Sequence, residues 1–184
     1  MYKMIAVTNR KICNGDFLER IEETAAYGVD SIILREKDLS VSEYEKLASK
    51  VMEICDCHHV SCILHNFPQV AEKLGSKQIH MPLVLLKEQP ELIKKFERVG
   101  TSVHSVEEAV YAQKLGVSYL IAGHIFATDC KKGLPPRGLD FLRKVCLSVK
   151  IPVYAIGGIK EDNIMQVVEA GAEGGCIMSG FMCK

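Results

Sequence analysis

The sequence predicts a compact (β/α)8 TIM barrel whose last helix is short or missing. Three observations point there. Eight short, mostly apolar runs recur along the 184 residues, stretches of helical spacing separate them, and polar residues gather where the runs end. Brief strands that are apolar on both faces belong in a parallel sheet covered by crossover helices. Eight such units, at a period of roughly 20 to 25 residues, close that sheet into a barrel rather than leave it open. Residues 1–184 are therefore expected to form one TIM-barrel domain.

The elements follow in order. Met4 to Thr8 is the first strand, and Asp16 to Gly28 the first helix, with Phe17, Ile21 and Ala25 at helical spacing before a terminal glycine. Ser31 to Leu34 is the second strand and runs into Arg35-Glu36-Lys37-Asp38. Ser42 with Glu45 reads as a capping box that opens the second helix, which carries Tyr44, Leu47, Val51 and Ile54. Ser61 to Leu64 is the third strand, residues 67–75 a short helix, Gln78 to Met81 the fourth strand and Lys87 to Glu97 a weak helix. Val99 to Val103 precedes the amphipathic stretch Val106 to Gly116, and Tyr119 to Ile125 precedes Leu139 to Val149. Pro152 to Ile156, Glu161 to Gly171 and Gly174 to Met178 complete the alternation. Only Phe181 to Lys184 follow, so the gap between the eighth and first strands needs another cover, for which a partner subunit in a homodimer is one candidate.

Composition narrows the function. Apolar residues make up 48% and charged residues 25%, which predicts a soluble globular chain. Lys+Arg and Asp+Glu both number 23, so no net basic charge argues for nucleic acid as a partner. No apolar run reaches the roughly 18 to 20 residues that span a bilayer, so no membrane segment is expected. The N-terminus MYKMIAVTNR is too poor in apolar residues for a signal peptide. Eight cysteines, several inside apolar runs, then read as reduced thiols in a cytoplasmic protein. Cys55-Asp56-Cys57-His58-His59 resembles a metal cluster but lacks a second ligand pair, so it is read as structural or incidental and no metal site is expected.

In a barrel the chemistry lies at the carboxyl ends of the strands. Those ends read Asn9-Arg10, Arg35-Glu36-Lys37, His65-Asn66, His80, Ser102-His104, His124, Gly157-Gly158 and Ser179-Gly180. Gly157-Gly158 before a helix start is a phosphate-site signature, because glycines admit an anion to the backbone amides, and Ser179-Gly180 supplies the other half. Lys131, on the loop after the sixth strand, adds a charge. His124 has the near-neutral pKa of a group that moves protons both ways, although a rim histidine satisfied by hydrogen bonds would look the same. Arg35 and Lys37 alternate about Glu36 and so share a face. They suit a carboxylate or phosphate, or else belong to an ion-pair ring that holds the barrel together.

The segments LREKD at 34–38, GTSVHS at 100–105, YLIAGHIFATDCKKG at 119–133, IPVYAIGGI at 151–159 and GAEGGCIMSG at 171–180 resemble the thiamin phosphate synthase/TenI superfamily, in order over almost the whole chain. In that superfamily the synthases join a pyrimidine diphosphate to a thiazole phosphate with magnesium. This sequence departs from them at Ile33, where synthases carry Gln, at His65-Asn66-Phe67, where they carry Asn-Asp-Arg, and at Pro82-Leu83-Val84-Leu85, where they carry Gly-Gln-x-Asp. Both acidic magnesium ligands are thus replaced, and diphosphate chemistry is not expected.

The TenI branch is similar at Gly123-His124-Ile125-Phe126 and in the run at 129–133. That likeness implies an isomerase, a thiazole tautomerase of thiamin biosynthesis that aromatises a carboxylated thiazole phosphate with no cofactor. His124 would be its acid/base, Gly157, Gly158, Ser179 and Gly180 would hold the phosphate, and Lys131 and Thr128 would lie nearby. Arg35 and Lys37 would take the substrate carboxylate, with Ser102 near the site. Two alternatives stand beside it, a divergent thiamin phosphate synthase and a non-catalytic TenI-type regulatory or phosphate-binding protein.

Overall fold

The computed structural model describes residues 2–128 and 133–184. Eight parallel strands close on themselves: β1 (Lys3–Val7), β2 (Ser31–Leu34), β3 (Ser61–His65), β4 (Gln78–His80), β5 (Arg98–Val103), β6 (Tyr119–Gly123), β7 (Val153–Ile156) and β8 (Gly174–Ile177). Each strand pairs with the next, and β8 pairs with β1 through Ile5 opposite Cys176. The helices are α1 (Phe17–Ala26), α2 (Val41–Cys57), α3 (Pro68–Lys73), α4 (Leu83–Glu88), α5 (Val106–Leu115), α6 (Gly138–Ser148), α7 (Ile164–Glu169) and α8 (Ser179–Met182). The expected (β/α)8 barrel is therefore the observed fold. Among the described residues no helix is long and apolar enough to cross a membrane.

The strands alternate between two cores. Residues facing the helices, such as Ala6, Ile32, Leu34 and Leu120, join the large outer cluster. Those facing the barrel axis, Ile5, Val7, Ile33, Ile63, Tyr119, Ile121, Tyr154 and Cys176, form a separate inner one. Tyr119 fills the axis because β5 yields space to it. A Cβ on Gly100 would sit 2.0 Å from the Tyr119 ring. Arg98 closes the amino end of the barrel, with its guanidinium 4.7 Å from the centre of the Tyr119 ring and hydrogen-bonded to the Tyr154 hydroxyl at 3.4 Å. The axis is thus plugged from below, and the cavity opens at the carboxyl end.

Several local expectations shift. The capping box of α2 is Ser40 with Glu43, not Ser42 with Glu45. Both pairs have the Ser-x-x-Glu spacing, but Glu45 is turned to Lys73 of α3 at 2.6 Å. The weak helix expected over Lys87 to Glu97 is instead α4 followed by a 3-10 turn, Pro90–Lys95. Pro90 lacks an N–H and ends the α-helix before it. Helix α7 begins at Ile164 rather than Glu161, because Asn163 folds the preceding turn onto itself. Its side chain accepts from the Lys160 amide at 2.8 Å and donates to the Gly158 carbonyl at 2.8 Å. The short last helix, α8, buries Phe181 and Met182, and Phe181 meets Tyr27, just beyond α1, edge to face at 5.6 Å.

Candidate functional site

The carboxyl ends of the strands surround one cavity of about 580 Å³. Each end is held in place by contacts that the strand itself does not make. At the start of β2's loop, Glu36 is 2% exposed and both its oxygens are taken. The Thr8 hydroxyl donates to it at 2.7 Å, the Arg10 amide at 3.1 and 3.2 Å, and the Arg10 guanidinium at 3.1 Å. Arg10 also clasps Asp38 in a bidentate pair at 2.7 and 2.8 Å, which holds the Asp38 carboxyl well below its usual pKa. This lock consumes the acids, so Arg35 and Lys37, on either side of Glu36, reach the cavity. Lys37's pKa is lowered, first by burial and then by the neighbouring Arg35.

Tyr44 of α2 ties the next two strand ends together. Its hydroxyl donates to the Leu34 carbonyl at 2.7 Å and accepts from the His65 amide at 2.8 Å. His65 and His80 then stack on the cavity floor with ring centres 5.6 Å apart. Burial, followed by the charges around them, pushes His65 well below its ordinary pKa and His80 down to about 3, so both are neutral imidazoles at pH 7. His80 Nε2 lies 2.9 Å from the Ser102 hydroxyl and Nδ1 lies 3.2 Å from the Tyr119 hydroxyl. His65 Nδ1 is buried without a hydrogen-bond partner among the described residues.

On the other side of the mouth, His104 Nδ1 donates to the Gly123 carbonyl at 3.0 Å, and His124 follows at the end of β6. His124 is 6% exposed, with Nε2 3.4 Å from the Leu134 carbonyl. The β6 end and the glycine turn after β7 are pressed together. The Ile125 amide donates to Ile156 and the Phe126 amide to Gly157, both at 2.9 Å. Gly157 has φ +99°, and a Cβ there would sit 2.3 Å from His124 Cβ, so only glycine brings the turn this close.

Of the residues expected from the sequence, His124, Arg35, Lys37, Ser102, Thr128, Gly157, Gly158 and Ser179 all line the cavity. Gly180 does not, and Lys131 lies outside the described residues. Gly157 and Gly158 line the mouth, whereas α7 starts six residues later, at Ile164. Sequence reasoning missed Lys160, which lines the cavity beside the glycine turn, and the pairing of His65 with His80. The latter was signalled by two histidines at the ends of consecutive strands. In the Cys55–His59 stretch, Cys55 is buried and Cys57 exposed, so the two thiols face different ways. Among the described residues no group of three or more His, Cys, Asp and Glu side chains is placed to hold a metal.

A family model described as Thiamine monophosphate synthase matches residues 4–181. A thiamine-phosphate synthase of Fusobacterium nucleatum is 35% identical over 99% of this chain and 90% of its own length, and one of Clostridium acetobutylicum is 34% identical over 98% and 87%. Among solved structures, a thiamine phosphate pyrophosphorylase from Pyrococcus furiosus superposes with a TM-score of 0.83 at 30% identity, covering all of this chain and 88% of the other. These relatives bear the name of a synthase, which is a transferase. They overturn the expectation of an isomerase and move the weight from the TenI branch to the synthases. The departures at Ile33, Asn66 and Leu85 had argued the other way, yet they change single positions in a chain that is similar to synthases from end to end. The chain belongs to the thiamine monophosphate synthase family.

Proposed function

We propose that this chain is a divergent transferase of the thiamine-phosphate synthase type, joining a pyrimidine diphosphate to a thiazole phosphate. The observation that carries the reading is a single cavity with two separate anion-receiving ends. One is the pair Arg35 and Lys37 after β2. The other is the Gly157–Gly158 turn with Ser179 and Lys160, after β7 and β8. The two ends lie apart on the ring, with β1 between β8 and β2. A transferase that brings two phosphorylated molecules together needs such an arrangement, whereas a monophosphate with no second anionic group would use only one end.

In this reading the thiazole phosphate occupies the glycine turn, with Thr128 at its edge, and the diphosphate lies at Arg35 and Lys37. When the group is transferred, the bond to the diphosphate breaks and its electron pair leaves with the diphosphate, while the acceptor ring supplies the pair for the new bond. Fixed cations at the departing oxygens stabilise the charge that develops there. His124 stands beside the glycine turn and contacts the acceptor ring, and Ser102, backed by His80, orients the pyrimidine.

The test is to incubate the protein with both substrates and follow the coupled product by mass spectrometry. Product is expected, and Arg35→Gln should lower the rate by roughly a hundredfold, the scale of losing one preorganised charge contact. His124→Gln should raise KM for the thiazole phosphate. Absence of coupled product from the wild-type chain would remove the reading.

A further inference from the structure

Magnesium takes oxygen ligands, chiefly carboxylates together with substrate phosphates. The β2 end of the cavity offers it a poor set of donors. Among the described residues the polar side chains on the wall there are Asn9, Arg35, Lys37, His65 and His80, which are two cations, two imidazoles and one amide whose oxygen already accepts from the Lys11 amide at 3.2 Å. Glu36 is enclosed by Thr8 and Arg10, and Asp38 is held by Arg10 and Lys11. Neither Asn66 nor Leu85, which stand where synthases carry acids, lines the cavity. Asn66 sits in a turn at φ +66° with its amide on the His80 carbonyl, and Leu85 of α4 packs against the outer core. These residues do not fit a divalent cation.

We propose that this chain binds the diphosphate end of its substrate as a metal-free anion, with Arg35 and Lys37 serving as fixed counter-charges in place of a divalent cation. The identity of the substrate rests on the transferase reading above, but the anion site does not. The cations on this rim differ in their partners. Arg10 is closed off by two carboxylates, whereas no described carboxylate forms an ion pair with Arg35 or Lys37. His65 Nδ1, buried on the same wall and without a partner among the described residues, provides a further contact for a bound ligand. An anion between Arg35 and Lys37 also offsets the burial and the Arg35 repulsion that together lower the Lys37 pKa.

The experiment is calorimetric titration of the full chain with inorganic pyrophosphate, once with EDTA and once with magnesium chloride in excess. Binding in EDTA is expected to be at least as tight as with magnesium, because the free ion competes for the same phosphate oxygens. Lys37→Gln and Arg35→Gln should each weaken binding in EDTA about tenfold, the scale of one charge-assisted contact, with thermal unfolding unchanged. Binding that requires magnesium, or tightens more than about tenfold when it is added, would overturn the proposal. So would equal binding by wild type and both variants, since the pyrophosphate would then sit elsewhere, for instance on the glycine turn. The two readings fail separately. Magnesium-dependent binding with coupled product removes this inference and keeps the transferase, while metal-free binding without product does the reverse.

Discussion

Replacing His80 with glutamine tests the claim that the cavity floor is a pair of neutral imidazoles. Burial holds His80 at about 3, whereas in the unfolded chain it returns to roughly 6.5. Between those values the unfolded state carries a proton that the native state does not. Stability therefore rises with pH through this window. It is fully present above about 6.5 and lost as the pH falls toward the folded value. At pH 5 the unfolded chain gains about 2 kcal/mol from protonating this one residue. His65, also depressed by its burial, adds to this loss with the same sign as the pH falls below about 6.5. Asp38, whose pKa is lowered, also loses stability in acid, but in the carboxylate range below about 4. Urea unfolding at pH 7, 6 and 5 separates the effects. Glutamine has a cost of its own at pH 7, about 1 to 3 kcal/mol, because the Tyr119 and Ser102 contacts are disturbed. The diagnostic quantity is thus the slope. His80→Gln should lose about 2 kcal/mol less than wild type between pH 7 and 5. An identical slope in the two proteins would show that His80 protonates equally in both states and would refute the reasoning.

Two further substitutions probe the supports of the mouth. Gly157→Ala meets both a positive φ and a Cβ 2.3 Å from His124, so it should cost at least about 2 kcal/mol in thermal unfolding and weaken binding of inorganic phosphate. Wild-type stability in that variant would show that the turn can withdraw from His124. Tyr44→Phe deletes one hydroxyl that serves both the Leu34 carbonyl and the His65 amide, and should cost about 2 to 3 kcal/mol in urea unfolding while lowering affinity for pyrophosphate. A loss below about 0.5 kcal/mol would mean that water replaces the hydroxyl.

The barrel was legible because its signals are local and repeated. Ser31 to Leu34 runs through three consecutive apolar residues, Ile32, Ile33 and Leu34, as suits a strand buried on both faces, and Gly116 stops α5 in the left-handed conformation expected of a terminal glycine. Most of the mouth followed from strand ends alone, since the topology brings every such end to one rim. What sequence could not supply was competition between equal local signals. Ser40 and Ser42 both head a Ser-x-x-Glu run, but in the fold Ser40 and Glu43 form the box while Glu45 is turned to Lys73. Lys160 was hidden because it lies past the glycine pair, on a turn whose shape Asn163 sets. The choice between isomerase and transferase was harder still. His124 and the altered acidic positions are a few residues, and their weight against the whole chain is not a property of any one of them.

The floor of the cavity has one further consequence. A neutral imidazole carries a single N–H, so Tyr119, His80 and Ser102 admit two arrangements of their protons. In one, Tyr119 donates to Nδ1, Nε2 donates to Ser102, and the serine hydroxyl hydrogen is left to point at a ligand. In the other, every donor and acceptor is exchanged and the serine offers a lone pair instead. No heavy atom moves between them. Ser102 can therefore greet either an acceptor or a donor with the same backbone. Discrimination between ring tautomers of a bound heterocycle must then come from neighbours whose polarity is fixed, the guanidinium of Arg35 and the amides of the glycine turn.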